Sequence, residues 1–181
     1  MSVVKAQQEP KVQRLHSTTV DGWNIALYRY RPTGGPRVGH PPILLCHGLG
    51  ANRYNLDAPG DISLARWLVK RGFDCWVLEF RGAGQSTHPS FLHRMRNPWT
   101  FDDYVFKDIP AVLDTIENDT GSRQVHWVGH SMGGMVIRTA VIMPSFPVHL
   151  VKAIITLGTP HQSAPYLLSR SLVSHYELVN K

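Results

Sequence analysis

Apolar residues gather along this chain in short blocks separated by Gly- and Pro-rich stretches, and the blocks follow two different periods. Near the N-terminus, residues 15–20 and 23–31 flank Asp21-Gly22, a pair that favours a tight type I′ hairpin turn. Alternation of Trp23, Ile25 and Leu27 predicts a strand with one buried face. The run Ile43-Leu44-Leu45-Cys46 and the stretch 73–80 are almost continuously apolar, as expected of parallel strands covered on both sides. Residues 124–128, a short apolar run, and 151–157, mostly apolar, make two further strands. Between them the period becomes helical. Residues 61–71 place Leu64, Trp67 and Leu68 on one helix face, with Asp61 or Ser63 as the cap and Gly72 as the stop. Thr100 opens T-F-D-D, a capping-box variant, ahead of a stripe of Val105, Ile109, Val112 and Ile116. Pro110 must kink that helix or start a second segment. Residues 132–143 are apolar almost all round and stop before Pro144, which predicts a helix buried in a large core.

Strands alternating with helices predict an α/β fold: a doubly wound, mostly parallel sheet preceded by an antiparallel N-terminal hairpin. The 181 residues suit one domain. A polar, frayed N-terminus over 1–12 and a single domain over 13–181 are expected, with 32–42 as a Pro- and Gly-rich loop.

Composition narrows the functional classes. With 43% apolar and 18% charged residues, the chain reads as an ordinary globular protein. Its formal charge of +6 owes much to the first forty residues, where Lys5, Lys11, Arg14, Arg29, Arg31 and Arg37 face Glu9 and Asp21. These bases are dispersed, which suits a solvated surface rather than a nucleic-acid site. No apolar stretch approaches the ~20 residues that span a bilayer. The N-terminus shows no secretory apolar region, which makes a cytoplasmic location the expectation. Cys46 lies late in one strand and Cys75 early in the next, at opposite ends in a parallel pair, so both are expected as free core thiols. The 10 histidines lack any H-E-x-x-H spacing, and no metal is expected. The loop Arg81-Gly82-Ala83-Gly84-Gln85-Ser86 lacks the third Gly of a dinucleotide fingerprint and the Lys of a P-loop, which counts against a nucleotide-binding domain.

The candidate chemistry sits in V-H-W-V-G-H-S-M-G-G, residues 125–134. Gly129-His130-Ser131-Met132-Gly133 is a G-x-S-x-G nucleophile elbow, a strand-to-helix turn so sharp that the serine's neighbours must be small and its Oγ stands free above the sheet. Gly133 and Gly134 fall where the following helix must pass close to neighbouring strands. His47-Gly48-Leu49-Gly50 follows its strand directly. Such a loop can aim a backbone N–H at a developing oxyanion; equally, it can be a Gly turn with a structural His47.

Together, H-G-L-G, R-G-A-G-Q-S, G-H-S-M-G-G and L-G-T-P-H, in that order between about Leu15 and His161, resemble the α/β-hydrolase superfamily, its lipase and esterase branch in particular. The resemblance implies that Ser131 is the nucleophile and that the N–H groups of Leu49 and Met132 form the oxyanion hole. His47, Gly48, Gly129, His130 and Gly133 would support them. It also implies a small-molecule or lipid ester as substrate, or another acyl bond, with no cofactor. The family's triad runs Ser, then Asp or Glu, then His along the chain. After Ser131 come His149, His161 and His175, while the one acid, Glu177, follows all three. His161 reads as a family loop residue. The chain is therefore expected to hold the nucleophile half of a serine hydrolase, truncated after the sixth strand. Almost no turnover is then expected, since losing a triad member costs up to ~10⁶ in kcat. The alternative is an inactive hydrolase fold serving as a binding or regulatory module, self-associating through the bare sheet edge. Residues 162–181, with Leu167, Leu168, Leu172 and Val173, suit one amphipathic helix, and Phe91, Leu92 and Met95 within 87–99 suit a small apolar wall over the pocket.

Overall fold

The computed structural model describes residues 10–87, 90 and 98–160. Its strands are β1 (Lys11–Thr18), β2 (Asn24–Arg31), β3 (Ile43–Cys46), β4 (Cys75–Glu79), β5 (Val125–His130) and β6 (Val151–Leu157). Its main helices are α1 (Leu64–Val69), α2 (Ile109–Thr120) and α3 (Met132–Ile142). The strands form one sheet in the order β1-β2-β4-β3-β5-β6. β1–β2 and β2–β4 pair antiparallel, whereas β3–β4, β3–β5 and β5–β6 pair parallel. This is the mixed, doubly wound α/β sheet with an N-terminal hairpin that the patterning predicts. After β4 the chain crosses over β3 to reach β5, so the order reverses there. The carboxyl ends of β3 and β5 are therefore the topological switch point, the place where open α/β sheets bind ligands.

Two buried layers sandwich the sheet. On one side Leu44, Trp76, Leu78 and Trp127 pack against α2 and α3 through Val112, Ile116, Val136 and Ile137. On the other, Leu45, Val77 and Val128 meet Ala65 and Val69 of α1. Alternate residues of β3 and β4 serve opposite layers, which is why β3 reads as an unbroken apolar run and β4 as one that only its last residue, Glu79, breaks. Cys46 and Cys75 are buried free thiols at opposite ends of the β3–β4 pair, and burial pushes both thiols up.

Several expectations are corrected. β2 is buried on both faces: Ile25 and Leu27 enter the α2–α3 layer, while Ala26, Tyr28 and Tyr30 enter the α1 layer. The small Ala26 and two tyrosines hide that second face from a simple apolar count. β1 starts at Lys11, before the expected Leu15, because backbone pairing with β2 carries the strand past its apolar residues. The connection from Thr18 to Asn24 is a longer loop, not a two-residue turn. Gly22 takes φ +86° and donates its N–H to the Thr19 carbonyl at 2.9 Å, while Asp21 keeps negative φ and turns its carboxylate to Arg81 at 2.9 Å.

Ser63 caps α1, accepting the Arg66 N–H at 3.1 Å. Trp67, expected on the buried face, is 48% exposed and lies under the Arg71 guanidinium, while Ala65 and Val69 take the buried positions. The capping box at Thr100 forms with Asp103. It opens a helical turn, Phe101–Asp103, that continues through a π-turn, Tyr104–Asp108, into α2. Pro110 sits in the first turn of α2, where a missing N–H costs little, so the path stays helical. All four residues of the predicted stripe are buried.

At one end of the described sheet β1 presents Lys11 and Arg14, charges that discourage edge pairing. At the other, β6 leaves Ile154, Ile155 and Leu157 exposed. Among the described residues no helix is long and apolar enough to cross a membrane.

Candidate active site

β5 runs into α3 through Ser131, whose backbone adopts φ +49°, ψ −112°. It is the one described non-glycine residue with positive φ. Such a conformation costs about 1–3 kcal/mol and persists only where the surroundings impose it. Here they do. The Ser131 N–H donates to the Leu157 carbonyl at 2.9 Å, and the Ser131 carbonyl accepts the N–H groups of Gly134 and Met135 at 3.1 Å and the Thr159 hydroxyl at 3.2 Å.

The flanking glycines make room for that turn. A Cβ on Gly129 would lie 2.5 Å from backbone atoms of Gly133 and Gly134, where the helix folds back over its own strand. A Cβ on Gly133 would lie 2.5 Å from the Cys46 carbonyl oxygen, and one on Gly134 2.0 Å from Thr159 Oγ1. Trp127 reinforces the crossing by donating its indole N–H to the Gly133 carbonyl at 3.1 Å. The half-buried Ser131 hydroxyl has no hydrogen-bond partner among the described residues.

The loop after β3 comes down onto the elbow. A Cβ on Gly48 would lie 3.1 Å from Ser131 Cβ and 2.9 Å from His130 Nδ1. The next residue, Leu49, is partly exposed, whereas Met132, at the first position of α3, is buried. His130 points sideways, as a strand residue alternating with Gly129 and Ser131 must, and fills the gap between Gly48 and Gly158. Its Nδ1 is buried without a hydrogen-bond partner.

His47 is held at both nitrogens. Nδ1 lies 2.7 Å from the Gly48 carbonyl and Nε2 accepts the Phe80 N–H at 3.1 Å, so the ring is a neutral Nδ1–H tautomer. Burial depresses its pKa below the ordinary histidine value, against a smaller opposing pull from the Gly48 carbonyl and Glu79. A depressed histidine contributes stability that is present above about pH 6.5 and is lost as pH falls through its folded pKa. Tm measured from pH 8 to pH 5 should therefore fall more steeply for the unaltered protein than for His47→Gln. Parallel profiles would contradict the buried neutral ring.

Sequence reasoning missed two groups. Glu79 ends the apolar strand β4, yet it is buried and accepts hydrogen bonds from Tyr28, Arg53 and Gln85. A lone acid closing an apolar run was the available signal. The second group is the buried cluster of Arg81, Asp108 and Asp21, which fixes the start of the R-G-A-G-Q-S loop. A shallow cleft lined by Gly39, His40, Gly121, Gln124 and His149 lies at the opposite ends of the strands from Ser131. The regions expected to supply a pocket wall (Phe91, Leu92, Met95) and a terminal helix, together with His161, His175 and Glu177, lie outside the described residues.

Comparison with known proteins places the fold in a family. Residues 41–180 match the family model described as the alpha/beta hydrolase fold, and the chain belongs to that family. It is 34% identical over 107 residues to triacylglycerol lipase 2 of Arabidopsis thaliana, covering 57% of this chain and 25% of that protein. It is 32% identical over 122 residues to lipase 1 of Drosophila melanogaster, covering 65% of this chain and 27% of that one. The chain thus spans about a quarter of the length of these curated relatives. Among solved structures, an esterase from Pyrococcus furiosus superposes with a TM-score of 0.63 at 17% identity, covering 97% of this chain and 68% of that one.

Proposed function

We propose that this chain carries the nucleophile half of a serine hydrolase of the lipase and esterase type, acting on the acyl bond of a small-molecule or lipid ester. The observation that carries this reading is the strained Ser131, held at positive φ by three backbone partners and the Thr159 hydroxyl, while its own hydroxyl has no hydrogen-bond partner among the described residues. In the reaction, Ser131 Oγ attacks the ester carbonyl and loses its proton to a base. The carbonyl oxygen becomes an oxyanion, received by the N–H groups of Leu49, on the loop beside Ser131, and Met132, at the start of α3. Removing one such donor typically costs about 10²–10³ in kcat. The alcohol then leaves, and water releases the acyl group from Ser131. No histidine or carboxylate engages Ser131 Oγ among the described residues, and this reading assigns the base and its acid partner to residues outside them.

A second reading rests on that same unengaged hydroxyl: a hydrolase fold that binds without turnover, with the β6 edge pairing to a second copy. The two are separated by hydrolysis of p-nitrophenyl esters of graded acyl length, using protein isolated from its own source. The hydrolase reading expects turnover that Ser131→Ala lowers by about 10⁴ or more. Turnover unchanged by that substitution overturns it. Absence of turnover, with a dimer in sizing chromatography, favours the binding module.

A further inference from the structure

We propose that Glu79 is a positioning residue for the oxyanion loop, acting through Arg53 and Asn55, and that the R-G-A-G-Q-S loop exists to cradle its carboxylate. This deepens the hydrolase reading and rests on it for the catalytic consequence, though not for the clamp itself.

Glu79 is the last residue of β4 and is 2% exposed. A buried carboxylate is costly unless its oxygens are satisfied, and this one is satisfied by three separate segments. Oε1 accepts the Arg53 N–H at 3.2 Å. Oε2 accepts the Gln85 N–H at 2.7 Å and the Tyr28 hydroxyl at 3.2 Å. Gly84 wraps so closely that a Cβ there would lie 2.1 Å from the Glu79 carboxyl carbon, and its φ is +52°. The Gly-rich loop that sequence reasoning weighed as a phosphate cradle therefore cradles an anion after all, one supplied by the protein.

From Glu79 a relay reaches the elbow. Arg53 opens the short turn Arg53–Asn55, and the Asn55 side-chain oxygen accepts the Gly48 N–H at 3.2 Å. Gly48 is the residue that approaches Ser131 and precedes Leu49. Without the relay, the position of the Leu49 N–H relative to Ser131 depends on the loop's own stiffness. A displacement of about 1 Å in such a group can cost ~10² in rate.

Glu79→Gln is the informative variant, because it keeps the shape and replaces one acceptor oxygen with a donor. With Gln85 donating to the remaining oxygen, the new NH₂ group faces the Arg53 N–H, donor against donor. The expected result is a fall in kcat of about 10- to 100-fold with KM held within about twofold, and faster exchange of the Arg53 and Gly48 amide protons. Tyr28→Phe removes the third donor but leaves the relay intact. It should match wild-type kcat even where its Tm falls as far as that of Glu79→Gln. Asn55→Ala cuts the relay at its second link and should lower kcat similarly, with the double variant no worse than the worse single one. An unchanged kcat in Glu79→Gln overturns the proposal, as does a loss that Tyr28→Phe shares at equal Tm. If Glu79→Gln does not fold, an unchanged kcat in Asn55→Ala overturns it. If the unaltered protein, isolated from its own source, hydrolyses no ester, the hydrolase reading has failed, and amide exchange at Arg53 and Gly48 alone decides whether the clamp exists.

Discussion

Gly133→Ala is expected to destabilise the protein by about 3–5 kcal/mol, among the largest effects a single methyl group can have. Intrinsic propensity predicts the opposite sign, because alanine inside a helix is favoured over glycine by about 1 kcal/mol. Crowding decides the outcome. The new Cβ would lie 2.5 Å from the Cys46 carbonyl oxygen and 2.9 Å from the Cys46 carbonyl carbon and Cβ. These atoms belong to β3, the strand paired on both sides by β4 and β5. They cannot yield as a flexible side chain would. Gly121→Ala is the control, since it has φ +72° and nothing within 4 Å of its added Cβ. It should cost only the left-handed strain of about 1–2 kcal/mol. Urea midpoints for the two variants measure the difference. A Gly133→Ala midpoint at or above that of Gly121→Ala would mean that α3 does not rest on β3 as described.

Arg81→Met is the second large effect, expected at about 3–5 kcal/mol near pH 8 because it strands a buried carboxylate. The Arg81 side chain is 1% exposed and that of Asp108 0%. Arg81 Nε donates to Asp108 Oδ1 at 2.8 Å, and Nη1 and Nη2 donate to the two oxygens of Asp21 at 2.9 and 3.2 Å. Burial opposes ionisation of Asp21, but hydrogen bonds from Arg81, Thr19 and Lys107 outweigh it and hold that carboxyl well below the usual range. Asp108 behaves differently. Burial pushes it up to about 6 even with Arg81 beside it. Loss of Arg81 raises it further, and an acid raised on folding loses stability as pH increases. The Arg81→Met deficit should therefore shrink between pH 8 and pH 5. Arg81→Met with Asp108→Leu should recover most of it at pH 8, as replacing a whole buried pair with apolar groups often does. A deficit that neither falls with pH nor responds to Asp108→Leu would contradict the stranded-charge account.

The parts of this fold legible in the sequence are those where a single local rule operates. The elbow could be read because sharp turning demands glycine at fixed offsets from Ser131, and each of those glycines meets backbone or side-chain atoms within 2.5 Å. β3 could be read as an unbroken apolar run and β6 as a mostly apolar one. What escaped depends on distant partners. The second buried face of β2 is made by Tyr28 and Tyr30, whose hydroxyls are satisfied by Glu79 and Asp57 on other segments. The loop at Asp21-Gly22 is tied through Asp21 to Arg81, sixty positions on. Trp67 looked like core until Arg71 covered it on the surface. Glu79 is the clearest case: its role needs Tyr28, Arg53 and Gln85 at once, and no spacing along the chain announces that.

The most direct test of the central claim, that Ser131 is the reacting group, is covalent. Protein isolated from its own source is treated with a fluorophosphonate, digested, and the adduct located by peptide mass spectrometry. The account predicts the phosphonyl mass on the peptide containing Ser131, and no adduct in Ser131→Ala. An adduct on another residue, or no adduct while a known serine hydrolase in the same tube is fully labelled, would contradict it.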